Sequence, residues 1–279
     1  MKGMYVKMCK YKMICLDIDG TLLNSHHKIT RNTKKIIQRV TNSKQIILIL
    51  VSARMPQAIY FLLKELDIVQ QPIICYNGAL IVDEKKNFLL QKYISISNVR
   101  QINSYAETIG LHISLYKDDE WYIDEMDEWV RQESEITNVD PIIRDYNDLF
   151  NIWEKENLGP NKILCMAQQQ KIESLYTKIK ESALINNLNI YPSKFTYLEI
   201  MPINASKNFA IDLLCKRFNV KKSEVIAIGD NFNDIDMIKY AGLGIAMGNA
   251  PEQVKHFADY VTLTNDEDGV AEAIKKFVL

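Results

Sequence analysis

The sequence predicts an α/β protein: a doubly wound, Rossmann-like parallel-sheet core interrupted by an inserted α+β cap module. Three observations carry this expectation. Short apolar runs at residues 12–17, 46–51, 72–76 and 225–228 each stop at polar or turn-forming residues, as buried strands do. Amphipathic helical segments alternate with these runs at both ends of the chain, the order that crossovers of a parallel sheet require. Between about residues 85 and 193 that alternation gives way to helices mixed with short strands, the mark of a separate module. The expected division is therefore a discontinuous core of residues 1–84 and 194–279 and an insertion of residues 85–193.

Bulk properties suit this reading. A chain of 279 residues is long for one compact domain and comfortable for two. The composition, 47% hydrophobic and 25% charged, is that of a soluble globular protein. A net charge of −1 gives no electrostatic case for nucleic acid or a membrane surface. Cys9, Cys15, Cys75, Cys165 and Cys215 are scattered, with no metal-ligand spacing, and read as reduced thiols of a cytoplasmic protein. No apolar leader segment is evident at the N-terminus, and the longest apolar run, 46–51, is far too short to cross a bilayer. No stretch specifies an oligomeric state.

In order, residues 1–11 read as a loose lead-in and 12–17 as the first strand. Thr30 caps a helix to about Thr41, with Ile36, Ile37 and Val40 on one face. The run 46–51 is the second strand. Pro56 opens a helix to about Leu66, since proline is favoured in a first turn. The strand 72–76 closes on Asn77-Gly78, a turn signal, before the hairpin arms 79–82 and 88–91. Within the insertion the pattern predicts helices over 97–109, 125–136 and 171–185. It also predicts strands over 111–116, 121–123, 162–167 and from 189, with a polar connector from 137 to 161. From about Thr196 the core pattern is expected to resume, with strands at 197–201, 225–228, 243–247 and 260–263. Helices begin near Ala205, after Asn233, near Pro251 and near Asp268.

The chemistry concentrates where strands end. Asp17 and Asp19 close the first strand and are followed by Gly20-Thr21. Carboxylates at the C-terminal edge of such a strand sit where open α/β sheets bind ligands. In extended geometry the two share a side, and their repulsion calls for a cation or a shared proton. The bland alternative is a turn with helix-capping aspartates. Ser52, Lys207 and the run Gly229-Asp230-Asn231-Phe232-Asn233-Asp234 fall at the corresponding rim. Alone, Ser52 is a helix-start cap and Lys207 a solvated lysine. Asp236 reads as a first-turn aspartate favouring the helix dipole. His26, His27, His112 and His256 have no ligand spacing. Trp121 and Tyr122 fit a hydrophobic core better than a stacking pocket.

Together these pieces resemble the haloacid dehalogenase-like (HAD) hydrolases, and among them the Cof-like sugar phosphatases. The resemblance spans most of the core. It is carried by Asp17-Ile18-Asp19-Gly20-Thr21-Leu22-Leu23, Ser52-Ala53-Arg54, Tyr76-Asn77-Gly78-Ala79, Lys207, the Asp230–Asp234 run and Met247-Gly248-Asn249-Ala250. It implies a phosphatase acting on small phosphorylated molecules. Asp17 would be the nucleophile and Asp19 the general acid and base. The resemblance also implies Mg2+, held by Asp17, the Asp19 carbonyl and Asp230, with Asp234 orienting its water shell. Ser52, Lys207, Asn233 and the backbone N–H groups of Ile18 and Ala53 would cradle the phosphate. The insertion would be a cap that selects the substrate. Phosphotransfer or phosphomutase chemistry, or a non-catalytic phosphate sensor, are the alternatives. Two positions depart from the subgroup: Ala53 stands where glycine is usual, and Asn208 follows Lys207 where glycine is preferred.

Overall fold

The computed structural model describes residues 10–44 and 46–279. Cys9 and most of the expected lead-in therefore lie outside the described residues. In chain order β1 (Met13–Leu16), α1 (Arg31–Lys44), β2 (Ile47–Val51), α2 (Pro56–Leu66) and β3 (Ile73–Cys75) precede the hairpin of β4 (Leu80–Val82) and β5 (Phe88–Gln91). Next come α3 (Ile96–Ile109), β6 (His112–Lys117), β7 (Glu120–Ile123), α4 (Glu128–Thr137), β8 (Ile142–Ile143) and α5 (Tyr146–Glu156). They are followed by β9 (Lys162–Met166), α6 (Gln169–Lys180), β10 (Leu188–Lys194) and β11 (Tyr197–Pro202). The chain closes with α7 (Lys207–Phe218), β12 (Val225–Gly229), α8 (Ile235–Tyr240), β13 (Leu243–Ala246), α9 (Glu252–Lys255), β14 (Tyr260–Val261) and α10 (Gly269–Phe277). No helix among the described residues is long and apolar enough to cross a membrane.

The chain divides into two compact units. One takes Met1–Ser52, Leu62–Ile74 and Lys207–Leu279; the other takes Ala53–Phe61 and Cys75–Ser206. In the first unit six strands run parallel in the order β14-β13-β12-β1-β2-β3. β1 lies between β2 and β12, with Ile14 opposite both Leu48 and Ile226. Every residue of β1 and β12 is buried, which is why both read as unbroken apolar runs rather than alternating ones. The order reverses direction at β1, so the tips of β1, β2 and β12 meet at a topological switch point. The α/β class expected from the sequence is thus the observed one. The Thr30 cap is present as well: its hydroxyl accepts from the Thr33 N–H at 3.1 Å.

The second unit carries a six-stranded sheet in the order β10-β11-β9-β6-β7-β8, antiparallel except for the β7–β8 pair. Its two faces differ. Ile113, Leu115, Ile163, Cys165, Leu198 and Ile200 point to one side and form a single core with residues of α3, α5 and α6. Tyr116 is directly opposite both Lys162 and Trp121 in register, which puts these three side chains on the other face.

Three sequence expectations need correction here. The strand 197–201 was expected to resume the core pattern, yet β11 pairs antiparallel with β9 and β10. The connector 137–161 contains β8 and the whole of α5. In α5, Tyr146, Leu149, Phe150 and Trp153 are buried at helical spacing, and Asp145 caps it by accepting from the Asp148 N–H at 2.9 Å. The surrounding Asn, Asp, Glu and Lys residues masked that stripe. Finally, α6 stops at Lys180, and Ala183–Asn186 forms a separate 3₁₀ turn.

Phe150 is only 1% exposed within this core. Phe150→Ala is expected to lower the stability of the second unit by about 3 to 5 kcal/mol. Urea denaturation followed by circular dichroism checks the value; a loss near zero would mean that α5 does not pack as described.

Candidate active site

The extended chain of β1 ends at Leu16, and the backbone turns immediately. Asp17 is tied to the neighbouring strand, its N–H donating to the Ile228 carbonyl at 3.0 Å. A turn then forms, with the Leu23 N–H donating to the Ile18 carbonyl at 2.9 Å. Asp17 thus still pairs with β12, and the turn begins after it. Asp17 is buried, whereas Asp19 is exposed. Ile18 between them is fully buried.

Lys207, the first residue of α7, is 2% exposed. Its Nζ stands 2.6 Å from Asp17 Oδ1 and 2.6 Å from Asp234 Oδ1. It also lies 3.5 Å from the Val51 carbonyl at the end of β2. Asp234 is completely buried, and its other oxygen accepts from the N–H groups of Asp230 and Asn231, both at 3.0 Å. Asp230 in turn accepts from the Thr21 hydroxyl at 2.7 Å. Carboxylate oxygens of Asp17, Asp230 and Asp234 all lie within 4.8 Å of one another, an arrangement that could hold a metal ion.

Two glycines make this close approach possible. Gly20 has φ +81°, and a Cβ there would lie 2.3 Å from Asp230 Oδ2. A Cβ on Gly229 would lie 2.6 Å from the Asp234 side chain. The Gly20 carbonyl also accepts from the Asn249 amide at 2.8 Å.

The electrostatics follow from burial and like charge. Burial pushes the Asp17 carboxyl well above the usual carboxylate range, Asp234 adds to the shift, and Lys207 opposes it. Asp230 is pushed up to about 7, chiefly by burial; its bond from Thr21 opposes the shift and Asp234 reinforces it. Burial alone would lower the Lys207 ammonium, but Asp17 and Asp234 outweigh it and raise the pKa. Three carboxylates thus surround one ammonium. The all-oxygen donor set and the remaining repulsion suit a hard divalent cation.

The other sequence-selected residues are placed as follows. Ser52 is buried just beyond β2, its N–H donating to the Ile74 carbonyl at 2.9 Å. Ala53 is partly buried and belongs to the second unit, where its carbonyl accepts from Lys162 Nζ at 3.1 Å. Among the described residues Ala53 is not one with positive φ, so its backbone does not require glycine. Asn233 is partly buried in the 3₁₀ turn Phe232–Asp234. The sequence reading gave no role to Thr21 or to the Asn249 amide. Both belong to motifs noted there, but their partners lie far away in the chain.

Comparison with known proteins agrees with this geometry. The family model described as haloacid dehalogenase-like hydrolase matches residues 14–274. A Haemophilus influenzae protein is 33% identical, over 94% of this chain and 96% of its own length. The 5-amino-6-(5-phospho-D-ribitylamino)uracil phosphatase YitU of Bacillus subtilis is 27% identical, over 95% of this chain and 97% of its own. The crystal structure of a haloacid dehalogenase-like hydrolase from Bacteroides thetaiotaomicron superposes with a TM-score of 0.84. It shares 34% identity over 95% of this chain and 99% of that one.

The raised Asp230 pKa makes a signed prediction. Its folded value, about 7, exceeds the reference value of 3.8. The protonated folded form is therefore favoured, and stability is lost as pH rises from near the lower value through the upper one. In chelator, the Tm of Asp230→Asn relative to the parent chain is expected to rise across that window and level off above it. Differential scanning fluorimetry across pH measures this; a flat difference would refute the assignment.

Proposed function

Because the chain belongs to the haloacid dehalogenase-like hydrolases, we propose that it is a magnesium-dependent phosphatase of small phosphate monoesters working through an aspartyl-phosphate. The observation that carries the reading is the buried Asp17 carboxylate held 2.6 Å from the Lys207 ammonium beside two further carboxylates. A carboxylate oriented by fixed charge at a strand tip is suited to in-line attack on phosphorus. Asp19, exposed two residues further along, is suited to protonate the departing alkoxide and then to deprotonate the water that cleaves the acyl phosphate. Lys207, the Ser52 hydroxyl, Asn233 and the N–H groups of Ile18 and Ala53 offer donors to the phosphoryl oxygens, where charge stabilisation counts most.

Asp17, the Asp19 carbonyl and Asp230 would hold Mg2+. Asp234 fixes the Asp230 backbone and Lys207 from behind. Bound there, the ion would supply Lewis-acid neutralisation of the phosphate charge. The second unit would act as the cap that selects the substrate. That the ribitylamino-uracil phosphatase is a relative supports a small phosphorylated metabolite, with sugar phosphates the leading class.

The test is phosphate release from p-nitrophenyl phosphate and a panel of sugar phosphates, with magnesium or with chelator. Asp17→Asn is expected to abolish release, at least about a thousandfold, consistent with loss of a covalent nucleophile. Asp19→Asn is expected to phosphorylate on the aryl ester, whose leaving group needs no proton, and then to stall. Intact-mass spectrometry would find the added phosphoryl group. Undiminished turnover by Asp17→Asn, or activity indifferent to chelator, would overturn the proposal. Phosphate passed to an added sugar rather than released would favour phosphotransfer.

A further inference from the structure

The six-stranded sheet of the second unit ends at β8, and this edge is apolar. Ile142 and Ile143 are 36% and 59% exposed, and Ile152 on α5 is 52% exposed. All three line a groove of about 840 Å³, together with Arg144, Leu149 and Trp153. Native sheets usually blunt an open edge with lysine, an inward charge or a covering segment; β8 carries isoleucine twice. Its backbone is open as well. β8 pairs parallel with β7, and the Arg144 N–H donates to the Ile123 carbonyl at 2.9 Å. Successive residues of a strand turn their backbone groups to opposite sides. The N–H and C=O of Ile143, and the C=O of Pro141 two residues before it, therefore point away from β7.

The charges beside this strand say what fits it. Asp140 and Arg144 stand two residues before and two residues after Ile142. Both are exposed, and neither has an ion-pair partner among the described residues. Asp140 accepts from the Ser134 hydroxyl at 3.4 Å. A second copy brought antiparallel about a two-fold axis at Ile142 sets Asp140 of each chain opposite Arg144 of the other. The same register puts Ile142 opposite its own counterpart, in the closer, non-hydrogen-bonded kind of pair. Each Ile143 N–H can then donate to the Pro141 carbonyl of the other copy; proline has no N–H to return a second bond. An axis at Ile143 would instead place Arg144 opposite Ile142 and form no ion pair. A strand of an unrelated protein would match the two charges only by coincidence, whereas a two-fold copy matches both by symmetry. We infer that β8 is a self-association edge, through which two copies of this chain join their second-unit sheets into one continuous sheet centred on Ile142.

Sedimentation velocity of the full chain over rising concentration tests this. The parent chain is expected to reach twice its chain mass. Arg144→Asp would set aspartate against Asp140 at both ends of the contact, and Asp140→Arg would set arginine against Arg144. Each variant alone is expected to dissociate at least about tenfold more readily. An equimolar mixture of the two variants restores both opposite-charge pairs across one interface and should recover the association of the parent. Both positions are exposed, so the circular dichroism spectrum and Tm of each variant should match the parent's. A parent chain that stays monomeric at millimolar concentration overturns the inference and leaves the edge to a strand of another protein. Single variants that associate like the parent, or a mixture that recovers nothing, overturn it too. None of these outcomes bears on the phosphatase reading, which rests on carboxylates of the other unit.

Discussion

The ammonium of Lys207, clamped between Asp17 and Asp234, is the contact on which the rest of the site depends. A buried charge without a partner costs several kcal/mol, and here each member of the trio is more than nine-tenths buried. Removing Asp234 would take one of the two carboxylates from Lys207 and leave the N–H groups of Asp230 and Asn231 without their acceptor. Moving Asp17 would leave Lys207 with Asp234 alone. The cluster still holds three carboxylates for one ammonium. Burial chiefly, and then the neighbouring carboxylates, push up the pKa values of Asp17 and Asp230, and the repulsion is the part a divalent cation would relieve.

The fold supplies the geometry. β1 lies between β2 and β12 because the strand order reverses there, so residues distant in sequence meet at adjacent strand tips. Asp17 follows β1, Ser52 follows β2, and Asp230 follows β12. Lys207 reaches the group from the first turn of α7. The carboxylates can approach only because Gly20 and Gly229 have no Cβ to displace Asp230 and Asp234. A Cβ at Gly229 would push on the Asp234 carboxylate that pairs with Lys207, and one at Gly20 on the Asp230 carboxylate beside it.

Much of this was legible in the sequence, for a physical reason. Strands of a parallel sheet are buried on both faces, so Met13–Leu16 and Val225–Gly229 appear as apolar runs that stop abruptly at acidic tips. The tips could be read for residue type but not for pairing. Nothing local says that Lys207 meets Asp234, or that Asp17 is buried while Asp19 is exposed. The second unit was less legible because its strand pairing is not set by local sequence. β11 has the same look whether it joins a parallel or an antiparallel neighbour, and only pairing with β9 decides it. α5 was hidden because its exposed residues are the Asn, Asp and Glu that also mark loops, although Tyr146, Leu149, Phe150 and Trp153 kept the helical spacing.

The two faces of the second sheet differ in chemistry. The face bearing Leu115, Ile163, Cys165 and Ile200 meets the requirement for a hydrophobic core by itself. Stability alone would then be served by apolar or fully paired residues on the opposite face. That face instead buries the Lys162 ammonium and two donors without protein partners, the Tyr116 hydroxyl and Trp121 Nε1, an arrangement that replacement by apolar residues of similar volume often stabilises.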